Sequence, residues 1–571
     1  MTKDQAAAAL REIGTILELQ GENPFKCRAY LAAARTLETA PADLEELVRT
    51  ERLGELPGIG EALREKITTL VTTGKLPYLE QLRSSIPAGL LALLELPGLG
   101  PKKLRALREK LGIESLEALQ KACHDGSLAS LDGFGEKTAT NLLEAIDRRA
   151  NYRKLHRLGD ALPAAQALLS HLRKSPSVLQ AEIGGSLRRG KEIVKDLDLI
   201  AASKNPKEVM QAFVSGPNVE KVIAHGETKS SVILEGGIPC DLRVIPPEAW
   251  ATALAHFTGS KEHNIALRQR AIDRGLHLSE WGLFKGQSKT PMKLKEEKDL
   301  HAALGLSFIP PELREDSGEV EAAEKNNLPD LLTRDEIRGC LHNHTIASDG
   351  QDTLAAMAQA AAELGLEWLG IADHSKSSFQ AHGLDAKRLE AQITEIRAYN
   401  SKKPKCTLLA GTECDILKGG KLDFPDSILK ELDYVIASVH AGFTSDEKEM
   451  TERIIHAMEN EHVTCLGHPT GQLLLEREGY ALNLPKILEA AATTGTWIEL
   501  NANPWRLDLD WRWWHKARDL GVLCCINPDA HQTSHLGFLD LGVILARKGW
   551  LRAKDVVNTR SLAALRKLLS A

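Results

Sequence analysis

The sequence predicts a multidomain protein: an all-α N-terminal region, a central α+β domain, and a C-terminal distorted (β/α)7 barrel. Three observations lead there. Residues 1–150 repeat a short apolar turn built on two glycines, each leading into a helix-patterned stretch. Residues 184–200 carry a Gly-Gly-Ser turn, two arginines, and an apolar run interrupted by Asp196 and Asp198. Beyond residue 337, apolar runs of strand length recur, and most end in a histidine or an acid.

At 571 residues the chain is long enough for several domains. No apolar run is long enough to span a membrane, and the N-terminus, MTKDQAAAAL, lacks the basic start and long apolar core of a signal peptide. A cytoplasmic protein with no membrane partner is expected. Nine scattered cysteines without a C-x-x-C pair read as reduced thiols. The net charge of −6 does not announce nucleic-acid binding, but clustered acidic metal ligands can hide a basic groove.

In chain order, the helical region comes first. Its repeat reads Leu-Pro-Gly58-Ile-Gly60, Leu-Pro-Gly98-Leu-Gly100 and Leu-Asp-Gly133-Phe-Gly135. The glycines leave backbone N–H groups bare at the start of the following helix, where the dipole favours an anion. A DNA phosphate fits, and such a contact carries no sequence information. One copy alone is an ordinary tight turn; three copies resemble the helix-hairpin-helix motif and favour non-specific DNA binding.

The central domain carries three carboxylates. Asp196 and Asp198 stand at i and i+2 of a strand and share a face. Residues 231–245 read as two strands joined by a Gly236-Gly237 turn, with Asp241 in the second. Carboxylates gathered this way suit two Mg²⁺ or Mn²⁺ ions and in-line phosphoryl transfer. Upstream, Gly185 and Ser186 offer N–H groups and a hydroxyl, and Arg189 a fork for phosphate oxygens. Asp-x-Asp alone is more often a half-exposed strand; the Gly-Gly-Ser-Leu-Arg-Arg stretch reverses that reading.

This pattern resembles the nucleotidyltransferase superfamily. The continuation His256-Phe257-Thr258-Gly259-Ser260 narrows the resemblance to family X DNA polymerases, relatives of DNA polymerase beta. The resemblance implies that Phe257 and Gly259 line the incoming sugar, that Asn264 meets the base edge or minor groove, and that Arg268 meets the template. Ser260 also reads as a plain helix cap. His256 replaces the family's usual tyrosine, and Pro239 stands where the animal enzyme has an arginine. The first segment resembles the small lyase domain of DNA polymerase beta, which places Lys66 on the Schiff-base nucleophile. Asn23, Phe25 and Lys26 follow that pattern, whereas Gly21 replaces a phosphate-binding lysine. Residues 309–336, acidic and flanked by prolines, read as an interdomain linker.

The last 235 residues read as seven βα units, with functional residues at the C-terminal strand ends. Imidazoles and carboxylates converging there mean metal, Mn²⁺ or Zn²⁺. They resemble the PHP (polymerase and histidinol phosphatase) domain, whose trinuclear site takes nine ligands. The matching positions are His342, His344, Asp349, His374, Glu413, His440, His468, Asp529 and His531. Asn501, Asn503 and Arg506 are further candidates for phosphate or DNA backbone; His382, His456, His515 and His535 carry no such support.

The expected division is 1–85 lyase-like, 86–150 helix-hairpin-helix, 151–245 palm, 246–308 thumb-side, 309–336 linker and 337–571 PHP domain. The expected activity is filling of short gaps in base excision repair, acting on gapped or nicked DNA and dNTPs as a monomer. The resemblance adds a 3′–5′ exonuclease and an abasic-site endonuclease in the barrel. Two rivals stay open: a phosphatase of small phosphomonoesters, and a non-catalytic DNA end-bridging protein.

Overall fold

The computed structural model describes residues 3–39, 44–94, 96, 99–131, 133–152 and 154–570, and forms two units, Met1–Lys154 and Leu155–Ala571. In the first, the Ala- and Leu-rich periodicity becomes nine α-helices among the described residues. The helix Lys3–Leu19 is the centre of that unit. Its Leu10, Ile13, Ile16 and Leu17 recur at helical spacing, are buried, and pack against Pro24–Thr39. One apolar core runs from Ala6 to Ile146, across the division expected near residue 85.

The second unit begins with a five-stranded sheet. Its spatial order is Gln180–Ile183, Leu197–Ala202, Ile238–Ile245, Lys229–Leu234, Val219–His225. The glycine turn expected between two strands is present: Glu235–Gly237, with Gly236 and Gly237 at φ 79° and 77°, joins the antiparallel pair Lys229–Leu234 and Ile238–Ile245. The central pair, Leu197–Ala202 and Ile238–Ile245, runs parallel with Asp198 opposite Asp241. The helices Leu158–Leu172 and Pro206–Val214 contribute Leu168, Leu172, Val209 and Phe213 to the core beneath the sheet.

The stretch expected as a linker is instead a packed part of the fold. Ile309, Leu313, Leu331 and Leu332 are buried, and Glu319–Glu324 is a helix. Arg314, completely buried, pairs with Glu297. The acidic composition misled because its charges are partnered inside: Glu319 takes His263 at 2.5 Å, and Glu315 takes Arg189, Lys191 and Lys548.

Two antiparallel pairs, His156–Arg157 with Ile193–Val194 and Leu276–Ser279 with Gly282–Lys285, form small sheets of their own. From Gly339 onward the paired strands are all parallel and mostly alternate with helices. Three of them, Gly339–Cys340, Trp368–Ile371 and Thr407–Ala410, form one arc. Glu413–Asp415, Ile436–Ser438, Cys465–Leu466, Trp497–Asn501 and Cys524–Asn527 form the other. The bridge of His374 with Glu413 joins the arcs on one side, and Asn343 with Ala530 on the other. The third strand breaks at Gly411, where a Cβ would lie 2.2 Å from Tyr434, and resumes at Glu413 against a new neighbour. Seven strand positions therefore close a distorted barrel.

Barrel and palm share one continuous core, from Leu158 to Val556. The joint is close: a Cβ on Gly190 would lie 2.4 Å from Ile544, on the helix Leu539–Lys548. Lys548 ends that helix, fully buried, and its Nζ donates to the Arg189 carbonyl at 2.9 Å and to Glu315 at 2.6 Å.

Candidate active sites

In the palm, the turn before the short helix Gly185–Arg188 presses on the first acidic strand. The Gly184 N–H donates to the Asp198 carbonyl at 2.7 Å. Gly185 adopts φ +61°, and a Cβ there would lie 2.1 Å from Asp198 Oδ2, so only glycine fits. Asp196 is exposed just before the strand, Asp198 half-buried within it, and Asp241 beside Asp198. Burial, then the Asp196 and Asp241 charges, push the Asp198 carboxyl up to about 6. Carboxylates crowded this way are the donor set that a hard divalent cation relieves. Asp241 is fixed on both oxygens, accepting from Ser231 Oγ at 2.6 Å and pairing with Lys229 at 2.6 Å.

The other palm and thumb residues differ in how they are engaged. Ser186 is half-buried on the same turn. Arg189 is held inside the protein: its Nε donates to Glu315 at 3.0 Å and its Nη1 to the Thr258 carbonyl at 2.9 Å. Its fork is thus committed within the protein rather than open to phosphate. Asn264, expected at the base edge or minor groove, donates to the carbonyls of His256 and Gly259, at 2.8 and 3.1 Å, and so stitches the turn before its own helix. Ser260 caps the helix Lys261–Asp273 by accepting from the His263 N–H. Phe257 carries the Arg243 guanidinium over its ring at 4.8 Å, and the exposed Arg268 lies 3.2 Å from His256 Nδ1. Gly259 is hemmed by His263 and Asn264.

In the helical unit, Gly60 and Gly100 are the caps of Glu61–Thr73 and Pro101–Leu111, and Gly135 precedes Glu136–Tyr152. A Cβ at Gly58, Gly60, Gly100, Gly133 or Gly135 would meet nothing within 4 Å, while the amides of Ile59, Leu99 and Phe134 close the turns by donating to the carbonyls of Leu56, Leu96 and Leu131. Gly98 lies outside the described residues. Lys66 is half-buried with its ammonium 5.2 Å above the Tyr78 ring, and donates to the Ala62 carbonyl. At Gly21, where the resemblance calls for a lysine, the Arg105 guanidinium packs so closely that a Cβ would meet it at 2.2 Å.

The barrel brings all nine expected ligands together at its strand ends. Glu413 is the hub: His374 Nδ1 and His468 Nε2 each lie 2.8 Å from it, His440 Nε2 3.2 Å and His342 Nε2 3.4 Å. His344 is 3.3 Å from Asp529, and Asp349 lies between His374 and His531 at 3.5 and 3.4 Å. Three subsets are compact enough to hold a cation: His344–Asp349–His374–His531, His342–His344–Asp529 and His374–Glu413–His440. The buried His342 Nε2 and both ring nitrogens of His344 have no hydrogen-bond partner. Burial would push the Glu413 carboxyl up, but His440, His342 and His374 overcome it and hold the group well below the carboxylate range. Orphaned imidazole nitrogens around acid oxygens are what a metal cluster requires. A cavity of about 880 Å³ opens over this cluster.

Sequence reasoning missed the acids behind the ligands. Glu499, fully buried, takes His342 Nδ1 at 2.7 Å and the His468 N–H at 2.6 Å. Asp415 takes His440 Nδ1 at 2.5 Å. Both signals were available: each acid sits two residues from a singled-out position in an otherwise apolar strand, Glu499 before Asn501 and Asp415 after Glu413. Asn501 proves internal, donating to Glu499 and Asp529, and Asn503 stabilises a turn by accepting from the Trp505 N–H. Arg506 does line the cavity, 3.3 Å from Asp529.

A nucleotidyltransferase-type palm with its thumb, joined to a metal-binding PHP barrel and a helix-hairpin-helix region, is the class of protein these sites define. Family models agree: helix-hairpin-helix domain at 1–76, SAM-like helix-hairpin-helix tandem at 90–148, DNA polymerase beta thumb at 253–315 and PHP domain at 341–503. The chain is 39% identical over 564 residues to the DNA polymerase/3′–5′ exonuclease PolX of Bacillus subtilis (strain 168), across 98% of both chains. It therefore belongs to the bacterial PolX family, the family X DNA polymerases that carry a C-terminal PHP domain. A probable phosphatase of Thermoanaerobacter sp. (strain X514) is 29% identical over 230 residues, 38% of this chain and 89% of that one. The DNA polymerase lambda of Arabidopsis thaliana is 27% identical over 323 residues, 50% of this chain and 57% of that one.

Proposed function

We propose that this chain fills short gaps in DNA during base excision repair and trims 3′ ends with its barrel. The observation that carries the first half is the parallel pairing of Asp198 with Asp241 beneath the Gly184-Gly185 turn, with Asp196 alongside. These acids would hold two Mg²⁺ or Mn²⁺ ions, which supply charge neutralisation for in-line transfer of a nucleotidyl group. Lys229 and Ser231 fix the Asp241 carboxylate, and the Gly185 turn fixes that of Asp198. Ser186 and the Gly185 amide take the triphosphate, with Phe257 and Gly259 beside the sugar and Asn264 and Arg268 towards the base pair. For Arg189 to join them, its guanidinium must exchange Glu315 for phosphate. The glycine turns at 58–60, 98–100 and 133–135 hold the DNA backbone without reading sequence.

In the barrel the nine ligands fit a cluster of up to three Mn²⁺ or Zn²⁺ ions, which would supply Lewis-acid activation of a phosphodiester and of water. Glu499 and Asp415 orient the imidazoles of His342 and His440 for that task, and Arg506 faces a phosphate oxygen from the cavity wall. Lys66, cradled by Tyr78, is the candidate lyase nucleophile. No helix among the described residues is long and apolar enough to cross a membrane.

The test is a 5′-labelled primer in a short gap, with Mg²⁺ or Mn²⁺, with and without dNTPs. The protein extends the primer with dNTPs and shortens it without them. Binding with neither reaction would leave the end-bridging role. Hydrolysis of small phosphomonoesters faster than DNA would favour the phosphatase reading, which the similarity to probable phosphatases keeps in view.

A further inference from the structure

Phe379 is three-quarters exposed and stands on the wall of the metal cavity. The turn that carries it, Phe379–Ala381, is anchored on both sides. Before it, Ser378 Oγ donates to Asp415 Oδ2 at 2.9 Å, and the Ser377 N–H donates to Asp423 at 2.6 Å. After it, the Arg388 guanidinium donates to the carbonyls of His382 and Gly383. Asp415 is the same acid that orients His440, so the aromatic ring and the metal-facing imidazole share one support.

We infer that Phe379 is a nucleobase platform: its ring stacks on the base of the strand end whose phosphodiester enters the cluster. The inference rests on the nuclease reading above and gives it a basis for choosing a polynucleotide over a small phosphoester. A cavity of about 880 Å³ is far larger than one phosphate needs, and matches a nucleotide unit with its neighbour. Arg506 at the inner wall is placed for the anionic backbone, while Phe379 at the rim is placed for a flat apolar face. Stacking on an exposed ring accepts every base, which suits an activity that must remove any terminal nucleotide.

The test uses the full chain with Mn²⁺ and two 5′-labelled single strands, identical except that one ends in an ordinary nucleotide and the other in a stable abasic tetrahydrofuran unit. Phe379→Ala is expected to lower kcat/KM on the ordinary strand about tenfold or more, chiefly through KM, as loss of one stacked base does. On the abasic strand it is expected to match the wild type, and Phe379→Trp is expected to restore the ordinary strand. Because the side chain is exposed and outside the ligand set, folding and the small-phosphoester rate stay unchanged. Equal cleavage of both strands by wild type and Phe379→Ala, or equal loss on both, would overturn the platform while leaving the nuclease reading intact. A wild type that shortens neither strand would overturn the nuclease reading, and the platform with it.

Discussion

Replacing Gly185 with alanine tests the palm geometry with one methyl group. The new Cβ would lie 2.1 Å from Asp198 Oδ2 and 3.0 Å from its Cγ, on a residue whose φ is +61°. The left-handed conformation costs an L-residue about 1–2 kcal/mol, which a domain of this size tolerates. The contact cannot be tolerated, and the carboxylate must move by roughly 1 Å, a misplacement of the kind that costs on the order of 100-fold in rate. The expected result is single-turnover primer extension with Mg²⁺ slowed by about 100-fold, with unfolding midpoint nearly unchanged. Barrel hydrolysis in the same preparation, untouched by the substitution, reports that the protein is folded. Extension at the wild-type rate would refute the placement of Asp198 in the reaction.

Other consequences are equally measurable. Glu499→Gln keeps the shape beside His342 but removes its charge; the Mn²⁺ concentration for half-maximal barrel hydrolysis should rise about 10–100-fold, read by metal titration. Mn²⁺ at about 100 times its Kd should stabilise the second unit by about 2.7 kcal/mol, and a chelator should remove that gain, both read by calorimetry. His301 is buried, its Nδ1–H donates to the Glu297 carbonyl, and burial with nearby Arg314 lowers its pKa to about 3. The unfolded chain therefore binds this proton first, so stability present above pH 6.5 is lost as the pH falls towards 3. Between pH 6.5 and 5 the loss is about 2 kcal/mol, and His301→Leu should be flatter by that amount in urea titrations.

The parts of the fold governed by local rules were readable. Alternation and the Gly236-Gly237 turn predicted the palm hairpin, and strand-end histidines predicted the residues that cluster in the barrel, because both depend on short-range periodicity. What escaped depends on partners distant in the chain. The direction of Arg189 is set by Glu315, 126 residues later, and by Lys548, whose place beside them follows from barrel closure. The segment 309–336 looked like a linker because composition cannot show that Arg314 and Glu297 bury each other's charge. Glu499 and Asp415 were visible in principle, each as an acid two residues from a singled-out position on the same strand.

The most direct test of two independent reactions in one chain pairs two double variants on the labelled gapped primer. Asp196→Ala/Asp198→Ala should abolish extension and keep shortening. His342→Ala/His344→Ala should abolish shortening and keep extension. Loss of both reactions in either folded variant, or of neither, would contradict the assignment of separate sites.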